Sequence, residues 1–260
     1  MPNYPGLDVS NKVCLVTGGT SGIGRAIALG FAQAGAKVMA GSTNPDKVAA
    51  IKKELGAGHE AVTINVADQN SVAAAIDATV KTFGRVDVVV NAAGVIKRQP
   101  SLEMTADEFR RIVDVNLTGS FLVAQAAARA MKDQTPDAKG ERGNIIFVAS
   151  LNSYISLVEV LAYGASKSGV LGLVRGLANE WAQYNIRVNA IAPGVFPTDL
   201  NRPLIEGTER GKMLKWHTPM SRFGAADELV GAALYLASPS ASYTTGHTIT
   251  VDGGFLSKGV

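Results

Sequence analysis

The chain has 260 residues, of which 47% are hydrophobic and 18% are charged, a balance that indicates a globular protein and excludes disordered, collagen-like and coiled-coil proteins. Its 25 basic and 22 acidic side chains leave a formal net charge of +3 with no long basic block, which argues against a nucleic-acid partner. The sequence offers neither a signal peptide nor the roughly 18 continuous apolar residues of a membrane-spanning helix, so we expect a cytoplasmic protein without a membrane partner.

Short β-branched runs alternate along the chain with longer alanine-rich segments. This alternation is typical of βαβ units and predicts a single-domain α/β fold over residues 1–260, a Rossmann-type doubly wound parallel seven-stranded sheet with helices on both faces. The predicted strands are Val13–Thr17, Lys37–Gly41, Ala61–Val66, Val86–Asn91, Gly143–Ser150, Ile186–Ile191 and Thr248–Val251. The predicted helices are Ile23–Gln33, Asp46–Leu55, Ser71–Phe83, Ala106–Met131, Ala162–Tyr184 and Ala226–Leu236.

The first strand contains the only cysteine of the chain. Cys14 lies in the apolar run Val13–Val16 and has no partner for an internal disulfide, so we expect a buried structural thiol. The long connection at about 193–225 follows a strand at the edge where open α/β sheets bind ligands. It carries Phe196, Trp216 and Phe223 among polar residues, which predicts a substrate lid.

A glycine-rich turn, residues 17–24, joins the first predicted strand to the first predicted helix. Its glycines, among them Gly18, Gly22 and Gly24, would let backbone N–H groups approach a pyrophosphate at the positive end of the helix. Their spacing is G-x-x-x-G-x-G and not G-x-G-x-x-G, and such a turn can also serve only the packing of strand on helix. A dinucleotide site is the interpretation that its position favours.

The end of the second strand bears on the choice between NAD and NADP. An acidic residue there would bind the ribose hydroxyl groups of NAD, but this chain has Ser42, Thr43 and Asn44. The segment therefore carries no carboxylate to repel a 2′-phosphate and no arginine to attract one, although Lys47 is close in sequence and the helix at Pro45 could offer amides. We predict NADP or NAD, with a slight preference for NADP. Asn65 ends the third strand, where it could contact adenine or serve as a turn residue.

Tyr163 and Lys167 stand four residues apart in a predicted helix, so both side chains leave one face. An adjacent ammonium would stabilise a phenolate and lower the pKa of the tyrosine toward the working range, so that the phenol could exchange a proton. Ser150 ends the fifth predicted strand, where its hydroxyl could hold a substrate oxygen. Each of these residues alone is ordinary, but together with the glycine-rich turn they predict an active site.

These motifs closely resemble, in order and spacing, those of the short-chain dehydrogenases/reductases across nearly the whole chain. The residues that carry the resemblance are Thr17–Gly24, Asn91-Ala92-Ala93-Gly94, Asn116, Ser150, Tyr163-Gly-Ala-Ser-Lys167 and Pro193-Gly194. One departure is visible, because Ala92 stands where the family usually has a second asparagine. That change removes a structural hydrogen bond but no group that transfers a proton.

The resemblance implies an NAD(P)-dependent oxidoreductase that interconverts a secondary alcohol and a ketone. Tyr163 would be the general acid/base, Lys167 its electrostatic partner and a ribose ligand, Ser150 the group that polarises the carbonyl, and Asn116 the support of a proton route. The expected cofactor-binding residues are Gly18, Ser21, Gly22, Ile23, Gly24, Ser42, Thr43, Asn65, Val66, Asn91, Ala93, Gly94, Tyr163, Lys167, Pro193, Gly194 and Thr198. No metal is expected.

Several segments resemble the branch of the family that contains gluconate 5-dehydrogenases and 2-deoxy-D-gluconate 3-dehydrogenases: Val95-Ile96-Lys97-Arg98, Asn152, Asn179-Glu180-Trp181-Ala182 and Val251–Phe255. A sugar acid is therefore the expected substrate, bound by Arg98, Ser150, Asn152 and Tyr163. Lys97 or Arg98 could pair with its carboxylate, or both could simply be solvated.

Two other functions remain open from the sequence. A 3-oxoacyl carrier-protein reductase would share the fold and the catalytic groups and would use surface arginines such as Arg129 and Arg175 to attract an acidic carrier. A non-catalytic nucleotide-binding protein could retain the fold without turnover, although the complete set of catalytic residues argues against it. The alanine-rich segments Phe121–Met131 and Gly169–Ala182 have more apolar surface than one sheet needs, and similar family members are commonly tetramers, so we expect a homotetramer.

Overall fold

The computed structural model describes residues 5–199 and 201–259. Its strands follow the apolar runs of the sequence, because the central strands of a parallel sheet are covered on both faces and carry no alternating polar side chains. They are β1 (Val13–Thr17), β2 (Lys37–Ser42), β3 (Glu60–Thr63), β4 (Val88–Asn91), β5 (Gly143–Val148), β6 (Ile186–Pro193) and β7 (Thr248–Val251). All seven strands of the prediction are confirmed, with ends that move by up to three residues.

Helices connect the strands. They are α1 (Gly22–Gln33), α2 (Pro45–Leu55), α3 (Gln69–Phe83), α4 (Ala106–Val113), α5 (Gly119–Asp133), α6 (Leu161–Trp181), α7 (Arg202–Ile205), α8 (Glu209–His217) and α9 (Val230–Ala237). Several begin with a polar residue whose side chain accepts backbone N–H groups of the first turn: Asn44 does so for α2, Asp68 for α3 and Thr105 for α4.

Three predictions of helices were wrong in detail. The segment predicted as one helix over Ala106–Met131 is divided into α4 and α5 by a π-helical turn, Asp114–Thr118, although its apolar residues continue through the turn. The end of the fifth predicted helix, Ala182–Tyr184, and the start of the sixth, Ala226–Leu229, are 3-10 turns. The expected lid at 193–225 is not a plain loop, since it contains α7 and α8; one of its residues, Leu200, lies outside the described residues.

The strands form one parallel sheet in the order β3-β2-β1-β4-β5-β6-β7. The order reverses between β1 and β4, which pair with Thr17 opposite Asn91. Two connections therefore leave the sheet in opposite directions at this point and open a crevice at the carboxyl ends of the strands. The glycine-rich turn after β1 and residues 92–94 after β4 lie on the two sides of that crevice.

Two apolar layers enclose the sheet. Helices α3, α5 and α6 cover one face, where Val72, Val123 and Val170 are almost fully buried. Helices α1, α2 and α9 cover the other face, where Ile27, Ile51 and Ala233 are equally buried. The doubly wound seven-stranded α/β fold is thus confirmed, and it presents the ends of β1, β4, β5 and β6 at one rim.

Candidate active site

An open cleft enclosing about 970 Å³ of space lies at the crevice between β1 and β4 and continues past the ends of β5 and β6. It is bordered by the glycine-rich turn, the segment after β4, the end of β5, helix α6 and the segment after β6. Its lining residues are Gly18, Ser21, Gly22, Ile23, Gly24, Ala92, Ala93, Gly94, Val148, Ala149, Ser150, Tyr163, Lys167, Pro193, Gly194, Phe196, Thr198, Asp199 and Asn201. The cleft thus brings the predicted nucleotide motif together with Ser150, Tyr163 and Lys167, whereas the fourth predicted catalytic residue, Asn116, does not line it.

The start of α1 is suited to hold an anion. Its first residue is preceded by Ser21, whose side chain makes no capping hydrogen bond, in contrast to the capped starts of α2, α3 and α4. The first amides of α1 therefore face the cleft without an acceptor from the helix or its cap within the described residues. Gly18 and Gly22 have φ of +67° and +51°, which L side chains rarely adopt, and a Cβ on Gly24 would lie 2.3 Å from the Gly18 carbonyl oxygen. These residues fit the pyrophosphate of a dinucleotide.

Tyr163 and Lys167 lie one turn apart on the face of α6 that borders the cleft. The Lys167 Nζ is 5.7 Å from the centre of the Tyr163 ring and donates a hydrogen bond of 2.6 Å to the Val148 carbonyl oxygen. Lys167 is 5% exposed, so this carbonyl at the end of β5 fixes its ammonium inside the protein. A Cβ on Gly94 would lie 3.8 Å from the same Nζ, and the absence of a side chain there leaves the lysine accessible from the cleft.

Burial dominates the protonation of this pair. It lowers the pKa of Lys167 to about 8, because the charged ammonium is removed from water. It also raises the pKa of Tyr163, and a hydrogen bond with Ser150 acts in the opposite direction. The net direction for Tyr163 is thus set by removal of the phenolate from water, which outweighs the hydrogen bond with Ser150.

Asn116 lies in the π-helical turn between α4 and α5 and is fully buried. Its Oδ1 accepts the Val95 N–H at 2.8 Å, and its Nδ2 donates to the Val95 carbonyl oxygen at 2.9 Å and to the Ser166 Oγ at 3.1 Å. The Ser166 hydroxyl in turn donates to the Tyr163 carbonyl oxygen at 2.7 Å. Asn116 thus joins the segment after β4 to the turn of α6 that carries the tyrosine, and its side chain has a positioning role.

Ser150 and Asn152 lie just beyond β5, both more than nine-tenths buried. The Ser150 Oγ accepts the Asn152 N–H at 3.1 Å, which begins a 3-10 turn over Leu151–Ser153. The Asn152 Oδ1 is buried and has no hydrogen-bond partner within the described residues. Asn152, unlike Ser150, does not line the cleft.

Five of the predicted cofactor-binding residues do not line this cleft: Ser42, Thr43, Asn65, Val66 and Asn91. Ser42 and Thr43 follow β2, and the Ser42 Oγ accepts the Asn44 N–H at 3.2 Å. Asn44 caps α2 by accepting the amides of Asp46 and Lys47, so two amides that we expected for a phosphate are already used. Asn91 is 3% exposed, and neither atom of its side-chain amide has a partner within the described residues.

Arg98 lies on the segment after β4 but does not line the cleft. It forms an ion pair with Glu159, which precedes α6. Lys97 has an ion pair of 3.6 Å with Glu108. Both expected carboxylate ligands therefore have an internal partner, and neither is simply solvated.

The sequence analysis did not assign several lining residues to the site: Ala92, Val148, Ala149, Asp199 and Asn201; Phe196, named there only as a lid residue, also lines the cleft. Val148 and Ala149 could have been found from their place at the end of β5. Asn201 has no such signal: its Oδ1 accepts the Thr198 N–H at 2.8 Å and its Nδ2 donates to the Phe196 carbonyl oxygen at 3.0 Å, which fixes the loop that carries Thr198.

Residues 5–199 and 201–259 contain no group of three or more His, Cys, Asp or Glu residues that could hold a metal ion. Within the same ranges, no helix has both the length and the apolar character required to span a membrane.

Comparison with known proteins supports the chemistry that the cleft indicates. The family model described as enoyl-(acyl carrier protein) reductase matches residues 18–256. The chain is 36% identical over 253 residues to 2-dehydro-3-deoxy-D-gluconate 5-dehydrogenase of Dickeya dadantii, covering 96% of this chain and 98% of that protein. It is 39% identical over 253 residues to D-threitol dehydrogenase of Mycolicibacterium smegmatis, covering 96% of this chain and 95% of that protein.

A solved structure shows the same architecture. The crystal structure of a gluconate 5-dehydrogenase from Burkholderia cenocepacia in complex with NADP and tartrate superposes with a TM-score of 0.91 at 36% identity, covering 98% of this chain and 99% of that chain. The chain belongs to the short-chain dehydrogenase/reductase family. Within it, the chain is an NAD(P)-dependent oxidoreductase that acts on CH–OH groups, as predicted.

Proposed function

We propose that the chain interconverts a secondary hydroxyl group and a ketone of a sugar acid, with NADP preferred to NAD, and that Ser150, Tyr163 and Lys167 are its catalytic residues. The observation that carries this proposal is that the glycine-rich turn and the buried Tyr163–Lys167 pair border one cleft. A site that only bound a nucleotide would not need a phenol and an ammonium buried beside a serine hydroxyl.

Tyr163 transfers the proton. In the direction of oxidation its phenolate takes the proton of the substrate hydroxyl group while the C–H bonding pair leaves the carbinol carbon and a C=O bond forms. In the direction of reduction its phenol returns the proton to the carbonyl oxygen. The nicotinamide cofactor, when bound, supplies or accepts the hydride.

The neighbouring residues orient this proton transfer. Ser150 donates its hydroxyl hydrogen to the substrate oxygen, since its Oγ already accepts the Asn152 amide. Lys167 stabilises the phenolate from its position under the Val148 carbonyl and serves as a ribose ligand. Asn116 supports the proton route by fixing Val95 and Ser166 around the tyrosine.

The cofactor would lie along the cleft. Gly18, Ser21, Gly22, Ile23 and Gly24 would hold its pyrophosphate at the start of α1, while Ala93 and Gly94 would border its ribose. Pro193, Gly194 and Thr198 would face its nicotinamide end. Asn65, Val66 and Asn91 would lie toward its adenine half, where the unpartnered Asn91 amide is free to bind.

The preference for NADP rests on the end of β2. The hydroxyl groups of Ser42 and Thr43 can bind a 2′-phosphate, and neither residue carries a negative charge there, although Asp46 in the first turn of α2 does. Thr43→Asp should lower the ratio of NADP to NAD affinity by at least about 10-fold, because two like charges would meet at the phosphate. Asp46→Asn, which removes a negative charge from the first turn of α2, should raise the same ratio. An unchanged ratio in Thr43→Asp would place the phosphate elsewhere.

A sugar acid is supported by the similarity to gluconate-type dehydrogenases and by the charges near the cleft. Arg98 would bind the substrate carboxylate, and Asn152 would accept a substrate hydroxyl hydrogen with its unpartnered Oδ1. Turnover of gluconate, neutral polyols and acetoacetyl thioesters with each cofactor tests this proposal. Preference for the thioester would favour a 3-oxoacyl carrier-protein reductase, whose carrier could contact the exposed Arg129 and Arg175. Tight cofactor binding without turnover of any substrate would indicate a binding protein.

We also propose a homotetramer in the cytoplasm, where NAD(P) pools are available. A surface groove between α5 and α6 includes Phe121, Leu177 and Trp181, and this apolar surface is suited to a second copy of the chain. Light scattering should give about four times the 27.0 kDa mass of the chain. The segment 193–225 would be the substrate lid of each subunit.

A further inference from the structure

Three charged side chains outside the lining of the cleft come from three different segments of the chain. Arg98 lies after β4, Glu159 lies just before α6, and Arg210 lies in α8 of the proposed lid. Arg98 and Glu159 form an ion pair, and the Glu159 carbonyl oxygen accepts the Gln99 N–H at 2.8 Å. The first two segments are therefore joined by both a side-chain and a backbone contact.

Helix α8 directs Arg210 toward the same place. Leu214, one turn further along α8, is 8% exposed and packs in a cluster with Leu151, the residue next to Ser150, and with the partly buried Leu157. Residues four apart in a helix share a face, so Arg210 lies on the face of α8 that contacts the active-site segment. Its neighbour Lys212 points instead to solvent and pairs with Glu209.

Arg210 has no ion pair and no side-chain hydrogen bond within residues 5–199 and 201–259, although it is partly buried. Its pKa lies below the usual value of an arginine, first because of burial and then because of the positive charge of Arg98, while Glu159 acts in the opposite direction. Arg98 alone is paired with the Glu159 carboxylate, and Arg210 adds a second positive charge that has no counter-ion in contact with it within the described residues.

Glu159 is the anionic partner of Arg98 within the described residues. Its φ is +69°, a left-handed conformation that is unfavourable for a residue with a side chain, and its carboxylate is bound by Arg98. We propose that Arg210 is a specificity-determining residue which, together with Arg98, binds the carboxylate of the substrate in place of Glu159 and thereby couples lid position to substrate charge. This proposal rests on the sugar-acid function proposed above.

Binding of gluconate and of glucitol to the enzyme saturated with reduced cofactor tests it, because glucitol has a hydroxymethyl group in place of the carboxylate. Arg210→Gln should weaken gluconate binding by about 10-fold or more, since a charge-assisted pair is lost, and leave glucitol binding within about 2-fold. Arg210→Lys should restore part of the gluconate affinity. Glu159→Gln should tighten gluconate binding, because the competing carboxylate is gone.

Arg202→Gln is the matched control, since Arg202 is an exposed lid arginine that pairs with Glu206. It should leave both affinities unchanged, and cofactor affinity reports that each variant is folded. Unchanged gluconate binding in Arg210→Gln, equal losses for gluconate and glucitol, or no gluconate binding by the parent enzyme would each overturn the proposal. If gluconate binds in a manner that depends on Arg210 but is not oxidised, the proposed substrate is refuted and the anion-binding role of Arg210 is supported.

Discussion

Replacement of the buried ammonium, Lys167→Met, should change how stability depends on pH. Burial lowers the pKa of Lys167 from 10.5 to about 8 in the folded chain, while in the unfolded chain the group keeps its ordinary value. Between these values the folded chain binds fewer protons than the unfolded chain, so this group makes the protein more stable as the pH rises. Below about pH 8 both states are protonated, and the full cost of the buried charge is present.

The size of this effect follows from the shift. A difference of 2.5 between pKa values of 10.5 and about 8 corresponds to roughly 3 kcal/mol, and about 2–3 kcal/mol of that should disappear between pH 7 and pH 10. Methionine fills a similar volume but leaves the Val148 carbonyl without its donor, which costs about 1–3 kcal/mol at every pH. The difference in stability between variant and parent should therefore shift with pH by about 2–3 kcal/mol, whatever its sign at pH 7.

Urea unfolding of both proteins at pH 7, 8, 9 and 10, at one protein concentration, measures this difference. Cys14 and Tyr163 titrate in both proteins, so their contributions largely cancel. The free energy of unfolding of the variant, relative to that of the parent, should be highest at pH 7 and lowest at pH 10. The variant should also lose turnover and bind the cofactor more weakly. Parallel stability curves for the two proteins would show that burial does not perturb Lys167, and the account of the site given above would fail.

Tyr163→Phe should lower turnover by about 10²–10⁴-fold with cofactor affinity retained, and a variant with normal turnover would remove the phenol from the mechanism. Because burial raises the pKa of Tyr163, the phenol form prevails near neutrality; ketone reduction should be supported there, and alcohol oxidation should rise with pH, whereas a flat oxidation profile from pH 7 to 10 would contradict this assignment. Gly24→Ala should weaken cofactor binding by at least about 10-fold and destabilise the fold by about 1–3 kcal/mol, because its Cβ would meet the Gly18 carbonyl at 2.3 Å. Gly231→Ala, in open space on α9, is the control and should leave cofactor binding unchanged.

The sheet could be predicted from the sequence because buried parallel strands consist of short, continuous runs of apolar residues. Strands β1 and β7 have the predicted ends, and the glycine-rich turn lies where the spacing placed it. The break between α4 and α5 could not be predicted, since the apolar residues Val113, Val115 and Leu117 continue through the π-helical turn. The pattern of side chains does not reveal which backbone hydrogen bonds shift from i+4 to i+5.

The sequence predicted several of the residues that form the site, but it did not predict their burial or the direction in which burial changes their pKa values. Tyr163 and Lys167 share a helix face by spacing alone, but their burial and the Val148 carbonyl that holds the ammonium depend on the packing of β5 against α6. The helices of the lid were missed because they are short and mostly polar, so they lack a clear apolar period. Arg210 and Glu159 gave no signal, since only the folded chain brings their segments together.

The lone sulfhydryl of the chain has a practical consequence. Cys14 is 0% exposed in the interior strand β1, and burial raises the pKa of its thiol, so an alkylating reagent can reach it only when that strand opens. The native chain thus carries its own label for rare openings, with no engineered probe required. NAD and NADP should each slow the alkylation of Cys14, and the one that binds more tightly should slow it more. The two rates would then rank the cofactors by the free energy with which each stabilises the native state.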